Sequence, residues 1–276
     1  MEELRYKLRK HIRKKILNID SRFRKSTTET CSDFNIELVD SIKNVLSIRL
    51  ASVELPNAFY AFSAAKKNTS FNIVLASGIH TITITDGNYD STTLIEAIQT
   101  ELDTLNTATG ECFEIELSET SGKVTIKNGT TDSDFSLYFD NYDSVRDFDF
   151  GLGYNLGFRK TTYEDLKTYT TESIIDVVGE QYVFLQLEDF GHVESFRKHD
   201  YLLKRILAKI ILRNEKFTVI FDDGSNFLTK TVLFDQPRDI SYLNVKLIDA
   251  YGLTLAMLDM NFSFTLEIEY IEERTG

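Results

Sequence analysis

The spacing of apolar positions changes along this chain, and each change marks a different element. Leu4, Leu8, Ile12 and Ile16 recur every four residues with Ile19 three later, which predicts one stripe of an amphipathic helix whose other faces carry cations. From Ser32 the period falls to two. Phe34, Ile36 and Leu38 alternate with polar residues. Val45 to Leu55 reads as a longer strand, with Leu46, Ile48 and Leu50 opposite Ser47, Arg49 and Ala51, and Pro56-Asn57 stops it. Ser70 to Leu75 and Ile79 to Thr85 alternate in the same way, and Asp86-Gly87-Asn88 signals a turn.

The period then lengthens to that of a helix. Leu94, Ile95, Ile98, Leu102 and Leu105 stand three or four apart, Asp90-Ser91-Thr92 offers N-cap oxygens, and Gly110 lies just past the end. Cys112–Leu117 and Lys123–Lys127 form a hairpin around Glu119–Gly122, so residues 79–139 are expected to be an inserted β-α-β-β subdomain. Further strands are expected at Glu172–Val178, Gln181–Glu188, Phe217–Phe221, Lys230–Phe234, Asn244–Ile248 and Phe262–Ile271. Leu202–Leu212 fits either a helix face or a buried strand. Many short strands and one clear helix predict a mainly β fold. The expectation is a jelly-roll β-sandwich body over 26–276, with the inserted unit and an N-terminal basic helical arm over 1–25. No repeat of solenoid or propeller period is present.

Charge sharpens that division. The net charge of −12 combines +7 over residues 1–25 (ten cations, three acids) with −19 over the remaining 251 residues. Arg5, Lys7, Arg9, Lys10, Arg13, Lys14 and Lys15 are the candidate contact residues of the arm, for a neighbouring protein, a membrane surface or nucleic acid. An acidic body repels phosphates and no base-reading motif follows, so specific nucleic-acid recognition is not expected. A second candidate contact is the stretch Asp132–Phe150. Six aspartates there interleave with aromatics, and Asp140, Tyr142, Asp147 and Phe148 suit a partner-facing loop as well as one packed on its own domain.

Composition excludes several classes. A hydrophobic content of 42% is too high for global disorder, and no apolar run reaches the ~20 residues of a membrane helix. The N-terminus lacks the apolar core of a secretory signal, and Cys31 and Cys112 cannot build a disulfide framework. A soluble protein made inside the cell is expected. His11, His80, His192 and His199 have no metal-ligand spacing. Gly151-Leu-Gly153-Tyr-Asn-Leu-Gly157 is one residue too long for a dinucleotide fingerprint and follows an Asp/Phe-rich stretch, so its glycines are read as conformational. The acid pairs Glu188-Asp189 and Asp222-Asp223 read as turn residues, and no serine elbow, Cys–His pair or P-loop occurs. Neither catalytic residues, metal nor cofactor is expected, and the protein is read as no enzyme.

Several segments carry a resemblance in their order. They are Asp20-Ser-Arg-Phe-Arg24, Phe34-Asn-Ile-Glu-Leu38, Ile42 to Pro56, Ile84-Thr-Asp-Gly-Asn-Tyr89, Leu156-Gly-Phe158, Leu243 to Gly252 and Asn261 to Ile268. Together the succession resembles the jelly-roll minor capsid and penton (vertex) proteins of large icosahedral nucleocytoplasmic DNA viruses, the giant viruses, over most of residues 20–271. The resemblance implies a non-enzymatic virion component assembled in the host cytoplasm, with major and minor capsid proteins as partners. A penton would be a homo-pentamer at each five-fold vertex; a network minor capsid protein would lie beneath the major-capsid shell. The resemblance does not reach the basic arm, whose expected contact with an acidic partner or an inner membrane rests on its charge and periodicity alone. A glycan- or ligand-binding sandwich is the alternative class, against which the absence of tryptophan counts.

Overall fold

The computed structural model describes residues 11–26, 28–129, 133–142, 151–187, 190, 193–196, 202–212, 216–222 and 231–272. The chain divides into two compact units. Met1–Phe59 with Glu180–Gly276 forms one, and Tyr60–Gly179, inserted between those segments, forms the other.

The strands of the first unit are β1 (Ile12–Asp20), β2 (Asp33–Pro56), β10 (Tyr182–Leu187), β11 (Val193–Phe196), β12 (Leu202–Ile211), β13 (Val219–Asp222), β14 (Thr231–Ile248) and β15 (Ser263–Ile271). They pair in the order β1-β15-β2-β14-β10-β12-β11, with β13 on the far end of β2. The two long strands each serve two neighbourhoods. The C-terminal half of β2 lies between β15 and the β13–β14 edge, while Asp33–Glu37 pairs with Tyr242–Lys246, beyond which β10 and β12 follow. Both ends of this ribbon feed one apolar core that includes Phe34, Ile48, Val53, Leu185, Leu243 and Phe264.

Bulges keep that core in phase. Phe264, Leu266 and Ile268 of β15 are buried at strict two-residue spacing. Opposite them, Thr265 pairs with Ser52 but Leu266 with Leu50, and Glu269 pairs with Ser47 but Tyr270 with Val45. Ala51 and Leu46 are therefore extra residues in β2, and each insertion flips the side chains that follow. The buried set accordingly runs Leu55 and Val53, then Leu50 and Ile48, then Val45. The single alternating run expected from Leu46 to Leu50 is thus corrected at Leu46. Pro237 sits in the register break of β14 between Leu233 and Arg238, where its missing N–H interrupts no ladder pair.

Of Leu202–Leu212, ambiguous by period, Leu202–Ile211 is strand β12. Its buried residues Ile206, Leu207 and Ala208 are consecutive because the register against β10 shifts there, at Gln186. Ile206 packs with Phe184 and Ile248 in a separate small cluster, while Leu207, Ala208 and Ile210 join the main core.

The inserted unit contains β3 (Ser70–Leu75), β4 (Gly78–Thr83), β5 (Phe113–Leu117), β6 (Val124–Asn128), β7 (Phe135–Tyr138), β8 (Thr162–Leu166) and β9 (Thr168–Thr170), with helices α1 (Ser91–Thr109) and α2 (Leu152–Leu156). The expected β-α-β-β succession is present as β4, α1, β5 and β6, but its strands belong to two sheets, ordered β4-β3-β7-β8 and β5-β6-β9. Residues 79–139 are therefore the middle of a wider unit that also needs β3, β8 and β9. Asp90 caps α1 by accepting from the Thr93 amide at 2.8 Å, and Gly110 ends it at φ +76°. Glu172–Val178, expected as a strand, is none. Its amides bond outside any ladder, Ser173 to the Gly157 carbonyl, Ile175 to Gly122 and Asp176 to Asn155.

Candidate assembly surfaces

The helical arm is corrected over residues 12–20, which form β1. Every residue of β1 has an antiparallel partner on β15, from Ile12 opposite Ile271 to Asp20 opposite Ser263. Strand pairing wins because β15 needs cover along its flank: Ile19 and Leu17 fall opposite Phe264 and Leu266 and pack into the core. Helical spacing had placed Ile16 with Ile19, whereas in the strand Ile16 points outward and is 60% exposed.

Three of the seven arm cations thereby belong to the folded sheet. Lys14 lies 2.6 Å from Glu267 and 3.4 Å from Glu269 on β15, and Arg13 Nε lies 2.9 Å from Glu272. The hydrogen bond to Glu267, with the charge of that carboxylate, holds the Lys14 ammonium above its ordinary range. Lys15 is exposed opposite Ile268. Arg5, Lys7, Arg9 and Lys10 lie outside the described residues.

The two ends of the resembling succession meet. Asp20 caps the short turn Ser21–Phe23, accepting from the Arg22 amide at 2.9 Å and from its guanidinium. That guanidinium holds the Asp20 carboxyl below its ordinary value. Buried Ser21 accepts from the Phe262 amide at 3.0 Å, and its own amide donates to the Phe262 carbonyl at 2.9 Å. Arg24 donates to the Ser21 and Glu29 carbonyls and to Asn261 Oδ1. The run 243–252 turns on Asp249, whose buried Oδ1 accepts from the Tyr251 and Leu253 amides at 2.8 and 2.9 Å. Ile84–Tyr89 plays the same part in the insert, Gly87 exchanging two backbone bonds with Phe62 and Asn88 accepting from the Ala61 amide. These segments are fittings that fix turns.

In the acidic/aromatic segment, Asp140 is exposed and accepts from Asn72 Nδ2 at 2.9 Å, and Tyr142 is half-buried against the core of the insert. Asp147 and Phe148 lie outside the described residues, as do His192, His199, Glu188 and Asp189. The glycines that follow have conformational work. Gly151 takes φ +75°, and a Cβ there would meet the Lys67 and Asn141 carbonyl oxygens at 2.6 and 2.7 Å. A Cβ on Gly153 would stand 2.3 Å from the Phe139 ring.

The insert also concentrates the acidity. Residues 60–179 hold eight basic and nineteen acidic side chains, net −11, with no Lys or Arg between Lys67 and Lys123. On its β5–β6 hairpin a single Lys127 lies 2.9 Å from Glu114 and 2.6 Å from Glu116.

One surface feature escaped the sequence reading. Phe217, Val219, Phe221 and Leu233 are 74, 58, 65 and 69% exposed, while Ile220 and Val232 between them are buried. Both faces of these two segments, each paired to β2, are apolar in sequence, so periodicity could not say which was inside.

An antiparallel sheet bent through two long strands, closed over one core and interrupted by a second unit, is a jelly-roll-type β-sandwich with an insertion. No protein-family model and no curated protein matches the chain. Among solved structures it is similar to the mavirus penton protein, with 13% identity and a TM-score of 0.50 over 94% of this chain and 100% of that one. It is also similar to a chain of the Sputnik virophage structure determined by cryo-EM, with 12% identity and a TM-score of 0.45 over 93% and 98%. At these identities the likeness is one of fold.

Proposed function

We propose that this chain is a structural virion protein, the penton-type block of the five-fold vertex of a large icosahedral DNA virus. The observation that carries the reading is the extent of the fold likeness, 94% of this chain against the whole of the mavirus penton protein. The segments Asp20–Arg24 and Asn261–Phe262, which carry the sequence resemblance, add support because they bond to one another.

On this reading the protein catalyses nothing and acts through its contacts. Its partners are major and minor capsid proteins and its own copies in a pentamer, and it resides in the virion after assembly in the host cytoplasm. The cations at 5–10 precede β1 and would reach an acidic capsid partner or an anionic inner membrane; the −11 insert of a neighbour is one such acidic surface.

Imaging of particles made by cells expressing an epitope-tagged copy tests the reading. Label at the five-fold vertices is expected; absence of the chain from purified particles, or label spread over the facets, overturns it. Deleting residues 1–10 is expected to impair incorporation while the protein still folds, and undiminished incorporation would remove the arm from the proposal.

A further inference from the structure

Across the layer built from β1, β15, β2 and the β13–β14 edge, the side chains on the face away from the core line up in rows, of which Ser47 and Asp20 are buried. Lys14, Glu269, Ser47 and Leu233 form one row, Ile16, Glu267, Arg49 and Thr231 the next, and Asp20, Ser263, Glu54 and Phe221 another. The middle of this face is polar and internally bonded: Ser263 donates to Glu54 at 2.7 Å, and Lys14 holds Glu267 and Glu269. One margin is apolar, and the other carries one exposed apolar side chain among polar ones. Phe217, Val219, Phe221 and Leu233 stand on the first, and Ile16 stands on the second.

The strip on the first margin exposes on the order of 400 Å² of apolar surface, as large as the biggest patch on an ordinary monomer. That is about half of what one partner contributes to a standard interface, and the composition is that of an interface core. Three strand spacings, roughly 14 Å, separate the margins, so one copy cannot bring its own together. A second copy can. Stacking whole faces would bury the carboxylates of β15, whereas a side-by-side contact leaves them in water. Among the described residues β1 pairs only with β15 and ends the sheet, and Ile16 on it is 60% exposed.

We propose that the strip Phe217, Val219, Phe221 and Leu233 is a self-association surface, and that it receives the β1 margin around Ile16 of a second copy of this chain. The contact is heterologous, the kind that closes into a ring when its rotation permits. Arg13 and Lys15 on β1 disfavour direct edge-to-edge strand pairing and leave side-chain docking as the mode. The inference deepens the vertex reading and names the partner of one surface.

Light scattering on the full chain tests it. The wild type is expected to self-associate, and Phe221→Asp with Leu233→Asp to weaken association by at least about tenfold, as Ile16→Asp also does. Leu166→Asp, at an exposed position of the insert, is expected to leave association unchanged. Should the aspartate variants misfold, Ile16→Cys and Phe221→Cys together in a Cys112→Ser background keep the question open to test. Mild oxidation is then expected to give a ladder of disulfide-linked chains. A wild type that stays a single chain at ~100 μM overturns the inference. So does an oligomer indifferent to the folded aspartate variants, or one that yields no ladder. Because these readouts use soluble protein, they can fail while vertex labelling in particles succeeds, and the reverse.

Discussion

Ile16 and Ile19 distinguish the strand from the helix that residue spacing suggested. A helical stripe treats the two as equivalent anchors, whereas β1 buries Ile19 to 2% exposure opposite Phe264 and leaves Ile16 60% exposed opposite Glu267. Ile19→Ala removes the equivalent of three methylene groups from the core, about 2.4 kcal/mol at ~0.8 kcal/mol each. The cavity that remains adds on the order of 1 kcal/mol, for a total of roughly 3 kcal/mol. Ile16→Ala, losing side-chain surface that water already reaches, is expected to change stability by no more than ~0.5 kcal/mol. The chain has no tryptophan, so urea unfolding is best followed by far-ultraviolet circular dichroism or tyrosine emission. The expected result is a lowered midpoint for Ile19→Ala at unchanged slope, with Ile16→Ala close to wild type. Equal losses for the two variants would refute the assignment of β1 and restore the helix.

Truncation gives a related contrast: deleting residues 1–10 is expected to leave the urea midpoint in place, while deleting 1–20 strips Leu17 and Ile19 from β15 and lowers it, and equal midpoints would contradict the pairing. Gly153→Ala is expected to cost about 1–3 kcal/mol in thermal or urea unfolding, because its Cβ would stand 2.3 Å from the Phe139 ring and that ring lies in a packed aromatic cluster. Ser21→Ala leaves the buried Phe262 amide without its acceptor and is expected to cost about 1–3 kcal/mol; a neutral effect would show that the turn relaxes. Arg22 holds the Asp20 carboxyl below its ordinary value of 3.8, so the linked stability is fully present above that value and is lost as pH falls through the lower folded one. Asp20→Asn removes this contribution to acid sensitivity, and acid-unfolding curves for wild type and variant that keep a constant separation below about pH 4 would contradict it.

Where local signals suffice, sequence and structure agree closely. β3 spans Ser70–Leu75 as its alternation predicts, α1 begins after Asp90 and ends at Gly110 as its caps predict, and the hairpin of β5 and β6 turns around Glu119–Gly122. These elements carry their own period and their own stops, so neighbours only confirm them. The candidate contacts were less legible. Arg13, Lys14 and Lys15 were found by charge, but whether they belong to a free arm or to a sheet depended on glutamates more than 250 positions away. The exposed strip from Phe217 to Leu233 was recognisable as strand and not as surface.

By itself the sequence determined that the chain is mainly β with one capped helix, that its N-terminal end is basic and the remainder acidic, and that no catalytic constellation is written in its residue spacing. Tertiary structure alone decided that Ile12–Asp20 is a strand, that two separate runs join into β14, and that Leu46 and Ala51 are bulges. It also decided which face of β13 meets water. The reason is common to all four. A period of two or of four says that a segment has an inside and an outside, but the choice between them belongs to the strand laid alongside it, and that strand is far away in the chain.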